Sequence, residues 1–405
     1  MISQNSTALD SQASRLLWVH TLFLTGVSLS NIFFNIYLWK ILHNLETAAV
    51  FNLFQFITVP FVFFMATHMF KQQGIILSMR LGLLVHVCFF LLVLLLKSKI
   101  AYLAPLFGVL MGLGQGLYFF GYNVSTYDWT NNLNRDRFSG LNGAASALAG
   151  MVAPLVGGVI IRSLGTSTGY IAVFSIMVIC FILATLVTGT FVANTGKAQC
   201  NFTQARVLIG SEWRRVSWSM FLRGLREGVM SFLLILIFYE VSQNELKLGF
   251  FNFVLSIITF LSYYFVGRYI SRERRYFSMF LGGILLTFFT SIVLWEPSIK
   301  SFWLFGIANS LFFPLIYVPL TTISYNVIRN NWRTAEYQTE FLSFREIPLN
   351  IGRILGILLL IYFLRTKWSA VWLLWGLGVS QLPIGAVLKH VSNQEENILL
   401  PHKAN

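Results

Sequence analysis

Two short stretches of this sequence place charge where the surroundings are apolar. Arg223, Arg226 and Glu227 lie in MFLRGLREGVMSFL, and Arg345, Glu346 and Arg353 lie in FLSFREIPLNIGRILGILLLIYFL. A charged group at bilayer depth costs about 2.5 kcal/mol or more, so such residues usually face a protein interior or a wet cavity and mark a pathway. Arg223 and Glu227 are four apart and pair on one helix face, with Arg226 offset by about a quarter of a turn. Glu346, Asn350 and Arg353 share a second stripe, Arg345 lies beside it, and Pro348 between them frees backbone groups. Four Arg face two Glu, a surplus of positive charge. Guanidinium groups bind carboxylate and phosphate bidentately, so the chemistry expected here is binding of an anionic solute. The competing reading is a set of structural Arg–Glu pairs. Glu227, Glu346 and His20 are the candidates to carry a coupling proton, a role on which burial and neighbouring arginines act in opposite directions.

These charges must be positioned by membrane-spanning helices. The 405 residues are 56% hydrophobic and only 11% charged, a composition that no water-soluble surface tolerates. Apolar windows long enough to cross about 30 Å of hydrocarbon recur along the chain. Window length and flanking punctuation predict twelve spans: Leu16–Leu42, Val50–Phe70, Ile75–Leu96, Leu103–Tyr127, Ser139–Ile161, Tyr170–Val192, Met220–Tyr239, Leu246–Tyr269, Phe277–Leu294, Phe302–Ile323, Phe341–Leu364 and Val371–Leu388. Trp39, Trp129, Trp295, Trp303 and Trp368 fall at or near span ends, as an interfacial aromatic belt requires.

The predicted organisation is a first six-helix bundle over residues 1–192, a cytoplasmic connection over 193–219, a second six-helix bundle over 220–388 and a cytoplasmic tail over 389–405. The two halves echo each other: GYNVSTYDWTNNLNRDR with a Gly-rich span after it stands against ISYNVIRNNWRTAEY with a span containing NIGRILG. Two six-helix bundles in parallel repeat are one of the transporter architectures, with the site near the midplane between the repeats. Lys and Arg in the short loops favour one side by about two to one, which puts both termini in the cytoplasm.

The formal charge of +14 is spread over those loops and forms no continuous patch, so it reads as topogenic and no nucleic-acid partner is expected. Cys88, Cys180 and Cys200 lie far apart without metal-ligand spacing, and neither a disulfide framework, a metal site nor a cofactor is expected. Arg15 alone precedes the first span and no small-residue cleavage site follows it, so that span is read as retained.

Polar stripes run along some spans and not others. Thr21, Thr25, Ser28, Asn31 and Asn35 step by helical spacing along the first, with His20 at their edge. Gln115, Tyr118, Tyr122, Ser125 or Thr126, and Trp129 do so on the fourth, Asn252, Ser256, Thr259 and Tyr263 on the eighth, and Ser310, Pro314, Tyr317, Thr321 and Ser324 on the tenth. Stripes several turns long suit a cavity lining; single polar residues also serve as interhelical glue. The candidate solute-binding set is therefore Arg223, Arg226, Glu227, Arg345, Glu346 and Arg353 with Asn31, Asn35, Gln115, Tyr122 and Tyr317.

Taken together, the chain resembles the major facilitator superfamily over its whole span region. The segments FNIYLWK and YNVSTYDWTNNLNRDRFSG resemble a branch of bacterial members that are mostly uncharacterised. The loop motif GxxxDRxGRR of that family is poorly kept: THMFKQQGII has Gly74 in place but Lys71 where Asp belongs, and GRYISRERRY has Gly267, Arg272 and Arg275 with Ser271 in the Asp position. The resemblance implies an all-α polytopic fold of two six-helix bundles related by a parallel pseudo-repeat. It also implies alternating access and usually coupling to an ion gradient, most often protons. The expected function is secondary active transport of a small or amphipathic, anionic solute by a multi-pass protein of the cell membrane, acting as a monomer among membrane lipids. The alternative within the fold is a lipid or glycolipid flippase, suggested by 39 Phe. A membrane-embedded transferase would need a convergent nucleophile, base or metal set, which His20 and His86 on separate spans do not supply, and a non-transporting receptor would have lost the stripes.

Overall fold

The computed structural model describes residues 9–130, 135–192, 200–270, 272–295, 298–329, 337–366 and 370–389. Lys197, Ser271, Arg333, Trp368, Lys403, the tail beyond residue 389 and the repeat segments 131–134 and 330–336 lie outside the described residues.

Hydrophobic runs without backbone-breaking punctuation dictate helices, and the described chain is helical almost throughout. In order it forms α1 (Ser11–Leu29), a π turn (Ser30–Phe34), α2 (Asn35–Leu42), α3 (Leu45–Gln73), α4 (Ile75–Leu96), a 3₁₀ segment (Lys97–Leu103), α5 (Ala104–Trp129), α6 (Arg135–Leu164) and α7 (Thr166–Thr188). Then come α8 (Phe202–Val207), α9 (Ser211–Met230), α10 (Leu233–Ser242), α11 (Glu245–Tyr269), α12 (Arg275–Trp295) and α13 (Ile299–Arg329). The last two named helices are α14 (Gln338–Arg365) and α15 (Ala370–Val379), followed by a helical stretch over 383–389.

Local chemistry sets the boundaries. Gly74, at φ 136°, makes the turn between α3 and α4 in a backbone conformation that side chains resist. α3 starts where the Asn44 side chain accepts from the Glu46 amide at 2.8 Å. Arginines hold the end of α7: Arg80 Nη2 donates to the carbonyl of Thr188, the last residue of the helix, at 2.6 Å, and Arg15 Nη1 to that of Thr190, in the turn after it, at 2.7 Å. That capping ends the sixth span at Thr188, short of the predicted Val192.

The seventh span is two helices. Ser231–Phe232 form a turn between α9 and α10, with Phe232 fully buried. The break lets the two pieces pack on different partners, α9 on α14 and α10 on α2. The twelfth span is likewise interrupted over residues 380–382, ahead of Pro383, where a helix loses an amide donor. Pro348, by contrast, leaves α14 continuous.

The chain divides into two compact units, Met1–Cys200 with Ser231–Ile257, and Asn201–Met230 with Ile258–Asn405. In the first unit, α5 packs closely on both α3 and α4. Its Gly112 and Gly116 allow that approach to α3: a Cβ at Gly116 would lie 2.8 Å from Val62 Cβ. The centre is aromatic, with Phe23 stacked on Tyr118 at 3.6 Å and His20 on Tyr122 at 3.8 Å. In the second unit α9 lies along α14 and α12 along α13.

The internal repeat is written in equivalent hydrogen bonds about 200 residues apart. His43 and Gln243 both end a helix in the left-handed region, at φ 49° and 47°, and Asn44 and Asn244 each cap the next helix. Ser78 Oγ donates to Leu117 O at 2.8 Å, and Ser278 Oγ donates to Leu315 O at 3.0 Å. Among the described residues, nine stretches are long and apolar enough to cross a membrane, and one of them, Ile75–Thr126, holds two helices. The charged α9 with α10, and the broken last span, complete the twelve.

Candidate functional site

The second unit assembles both charged stretches. α9 and α14 approach through reciprocal glycine pairs, Gly224 and Gly228 on one and Gly352 and Gly356 on the other. A Cβ at Gly228 would lie 2.6 Å from Arg353 O, and one at Gly352 would run into Phe221 O. Small residues at four-residue spacing bring helix backbones together and so carry long side chains on adjacent faces into reach of each other.

The result is a continuous polar network. Glu227 accepts from Arg223 Nε at 2.7 Å and, through its other oxygen, from Arg353 of α14. Arg353 Nη1 donates to Asn350 Oδ1 at 3.0 Å, and Asn350 Nδ2 donates to Glu346 O at 2.8 Å. Arg345 Nη2 donates to Glu346 Oε1 at 3.2 Å. The predicted i, i+4 pair of Arg223 and Glu227 therefore forms, and the stripe of Glu346, Asn350 and Arg353 is joined to it.

α13 supplies the aromatic wall. The Arg223 guanidinium lies 4.3 Å from the Tyr317 ring centroid, Arg226 lies 5.5 Å from that of Phe313, and Arg345 lies 5.1 Å from that of Tyr325. Such placement over a ring face is attractive without neutralising the charge. Tyr263 meets Tyr317 edge to face at 5.6 Å. Arg226, only 3% exposed, donates to the side-chain oxygen of Asn309. Among the described residues no ion pair to Arg226 is formed, so its charge is held by an amide dipole and a ring. Asn309, Phe313 and Tyr325 escape the sequence reading, although they step by four with Tyr317 along α13.

Of the neutral candidates, Tyr317 lies in the second unit against Arg223, while Asn31, Asn35, Gln115 and Tyr122 lie in the first unit and are not gathered into one cluster. Asn35 is buried: its amide donates to Asn31 O and its oxygen accepts from Asn52 Nδ2, both at 2.8 Å. Asn31 itself is exposed. Gln115 accepts from Gln55 Nε2 at 2.9 Å. Tyr122 stacks on His20, whose Nδ1 is 3.0 Å from Tyr118 OH. These contacts give Asn35 and Gln115 interhelical partners on α3, as polar residues that join neighbouring helices have.

A second ionic cluster, absent from the candidate set, lies in the first unit. Lys40, at the end of α2, pairs with Glu245 at the start of α11, and Tyr239 OH donates to the same carboxylate at 3.0 Å. The Lys40 ammonium lies 5.3 Å from the Tyr170 ring centroid and 5.4 Å from that of Tyr239. Among the described residues no group of His, Cys, Asp and Glu is arranged to hold a metal ion.

The model of the family described as Major Facilitator Superfamily matches residues 16–335. The uncharacterized protein YqgE of Bacillus subtilis (strain 168) is 33% identical over 347 residues, covering 85% of this chain and 80% of that protein. An uncharacterized protein in the sodM 3′ region of Geobacillus stearothermophilus is 39% identical over 159 residues, 39% of this chain and 74% of that one. Two solved structures share the fold at 14% identity. The human organic anion transporter MFSD10 has a TM-score of 0.63, with 93% of this chain and 96% of that one covered. A bacterial homologue of the iron transporter ferroportin, outward-facing with soaked iron, has 0.65, with 94% and 99% covered.

Proposed function

Given that the chain belongs to the Major Facilitator Superfamily and is a multi-pass membrane transporter, we propose that it carries a small or amphipathic solute through an anionic group bound at the arginine network of α9 and α14. Arg226 is the observation that carries this reading. A buried guanidinium satisfied by an amide and a ring leaves donors and charge for a ligand, whereas Glu227 and Glu346 are already engaged by arginines. The organic anion transporter among the proteins of this fold is in keeping with that class of solute.

Transport in this reading is secondary and active, by alternating access of the two six-span repeats, in the cell membrane with both termini cytoplasmic. Protons are the coupling ion of the proposal. Glu227, Glu346 and His20 are its candidate carriers, and at Glu227, between two guanidiniums, taking up a proton would break an existing contact. The protein reconstituted in vesicles should take up one or more members of an organic-anion panel, lose that uptake as Arg226→Gln, and lose accumulation with an uncoupler. Uptake confined to neutral or cationic solutes, or an unchanged rate in Arg226→Gln, would overturn the anionic assignment. Insensitivity to pH and uncoupler would remove the proton alone. Translocation of a labelled phospholipid in place of soluble anions would favour a flippase.

A further inference from the structure

Beyond an anionic group in general, we propose that this site selects a doubly charged anion, a phosphate monoester or a dicarboxylate, over a singly charged one; this rests on the anion-binding reading above. Arg345 and Glu346 pair with each other at 3.2 Å and sum to zero. Glu227 is a single carboxylate divided between Arg223 and Arg353, so that trio keeps one positive charge. Arg226 meets the amide of Asn309 and keeps another. Over the six charged residues of this network, four Arg and two Glu, that leaves two positive charges.

Both surpluses sit close together in a desolvated place. Arg223 is 8% exposed and Arg226 is 3% exposed. Three residues apart on one helix, they are offset by about 4.5 Å along its axis. The rings of Tyr317 and Phe313 beside them contribute quadrupoles and no net charge. A singly charged ligand would leave one buried guanidinium charge uncompensated, which is costly away from water. A dianion neutralises both, and the planar forks of two guanidiniums match the oxygens of a phosphate or of two carboxylates.

The experiment measures thermal unfolding of the full-length protein in detergent at pH 7.5 against titrations of phenyl phosphate, phthalate and benzoate, which share one ring and differ in charge. Ligand affinity is read from the rise in melting temperature with concentration. Phenyl phosphate, phthalate or both should bind at least about tenfold more tightly than benzoate, a difference of about 1.4 kcal/mol. A phosphate monoester loses its second charge near pH 6, so at pH 5 the phenyl phosphate advantage should shrink to below about threefold, while benzoate measured at both pH values corrects for titration of the protein. Arg226→Gln should abolish the preference for two charges, and Arg226→Lys, which keeps the charge, should retain it and serves if the glutamine variant does not fold. Benzoate binding as tightly as the dianions would overturn the proposal and leave the anion reading standing. Failure of all three probes and of a wider anion panel to shift the melting temperature would overturn both.

Discussion

Glu227 on α9 and Arg353 on α14 are bound side chain to side chain across the glycine seam, and Arg223 holds the second oxygen of the same carboxylate at 2.7 Å. One carboxylate thus ties two helices whose backbones Gly224, Gly228, Gly352 and Gly356 allow into contact. Removing that carboxylate leaves two guanidiniums facing each other. Glu227→Gln should therefore destabilise the protein by about 2–4 kcal/mol, somewhat less than a fully buried pair because the Glu227 side chain keeps 24% exposure. In the double variant with Arg353→Gln, part of that loss should return as a coupling energy of about 1–3 kcal/mol, measured by a double-mutant cycle on thermal unfolding. Strict additivity would mean that the pair does not act as one unit.

The glycine seam gives a prediction with a sign. Gly352→Ala would gain up to about 1 kcal/mol of helix propensity. It would also press a methyl into Phe221 O and against Leu225 N at 2.9 Å, an overpacking cost of about 1–3 kcal/mol against backbone that cannot rotate away. Net destabilisation is expected for Gly352→Ala. Net stabilisation is expected for Gly376→Ala, where nothing lies within 4 Å. Melting temperatures of the two purified variants check the contrast.

Lys40 and Glu245 are the matching test in the first unit. Their side chains are 23% and 13% exposed, and Tyr239 shares the carboxylate. Lys40→Met should lower stability by about 1–3 kcal/mol by leaving Glu245 with the phenol alone. The exchange Lys40→Glu with Glu245→Lys should recover at least half of that loss in thermal unfolding. No recovery would point to the Tyr170 and Tyr239 rings, and not the charge, as the main partner of Lys40.

Glu340, fully buried near the start of α14, accepts from the amide of Asn201 at 3.0 Å, and Tyr337 OH donates to Gln204 at 2.6 Å. These contacts hold α8 on the helix that carries Arg345 and Arg353. Glu340→Leu should speed amide hydrogen exchange across residues 202–207 by about tenfold, a loss of about 1.4 kcal/mol of local stability. Exchange elsewhere in α14 should change less. Equal acceleration throughout would mean that Glu340 supports α14 itself.

Much of the architecture was legible because hydropathy and spacing are local properties. The windows that predicted α4 as Ile75–Leu96 and the eighth span as Leu246–Tyr269 needed only the length of a bilayer crossing. The bond from Arg223 to Glu227 needed only the four-residue repeat of a helix. The turn at Ser231–Phe232 had no such signal: no proline or glycine stands there, and only the packing of α9 and α10 on different helices shows it.

Partnership between distant residues was decided by the tertiary structure alone. The sequence by itself placed four arginines and two glutamates at membrane depth and determined that their charges could not balance. Only packing decided how: Glu227 is shared with Arg353, 126 residues away, Glu346 goes to Arg345, and Arg226 is left with the amide of Asn309 and the ring of Phe313. The same packing turned the stripe residues Asn35 and Gln115 toward Asn52 and Gln55. The physical reason is that helical spacing fixes which side chains share a face, while the close approach of backbones at glycine pairs fixes which face meets which.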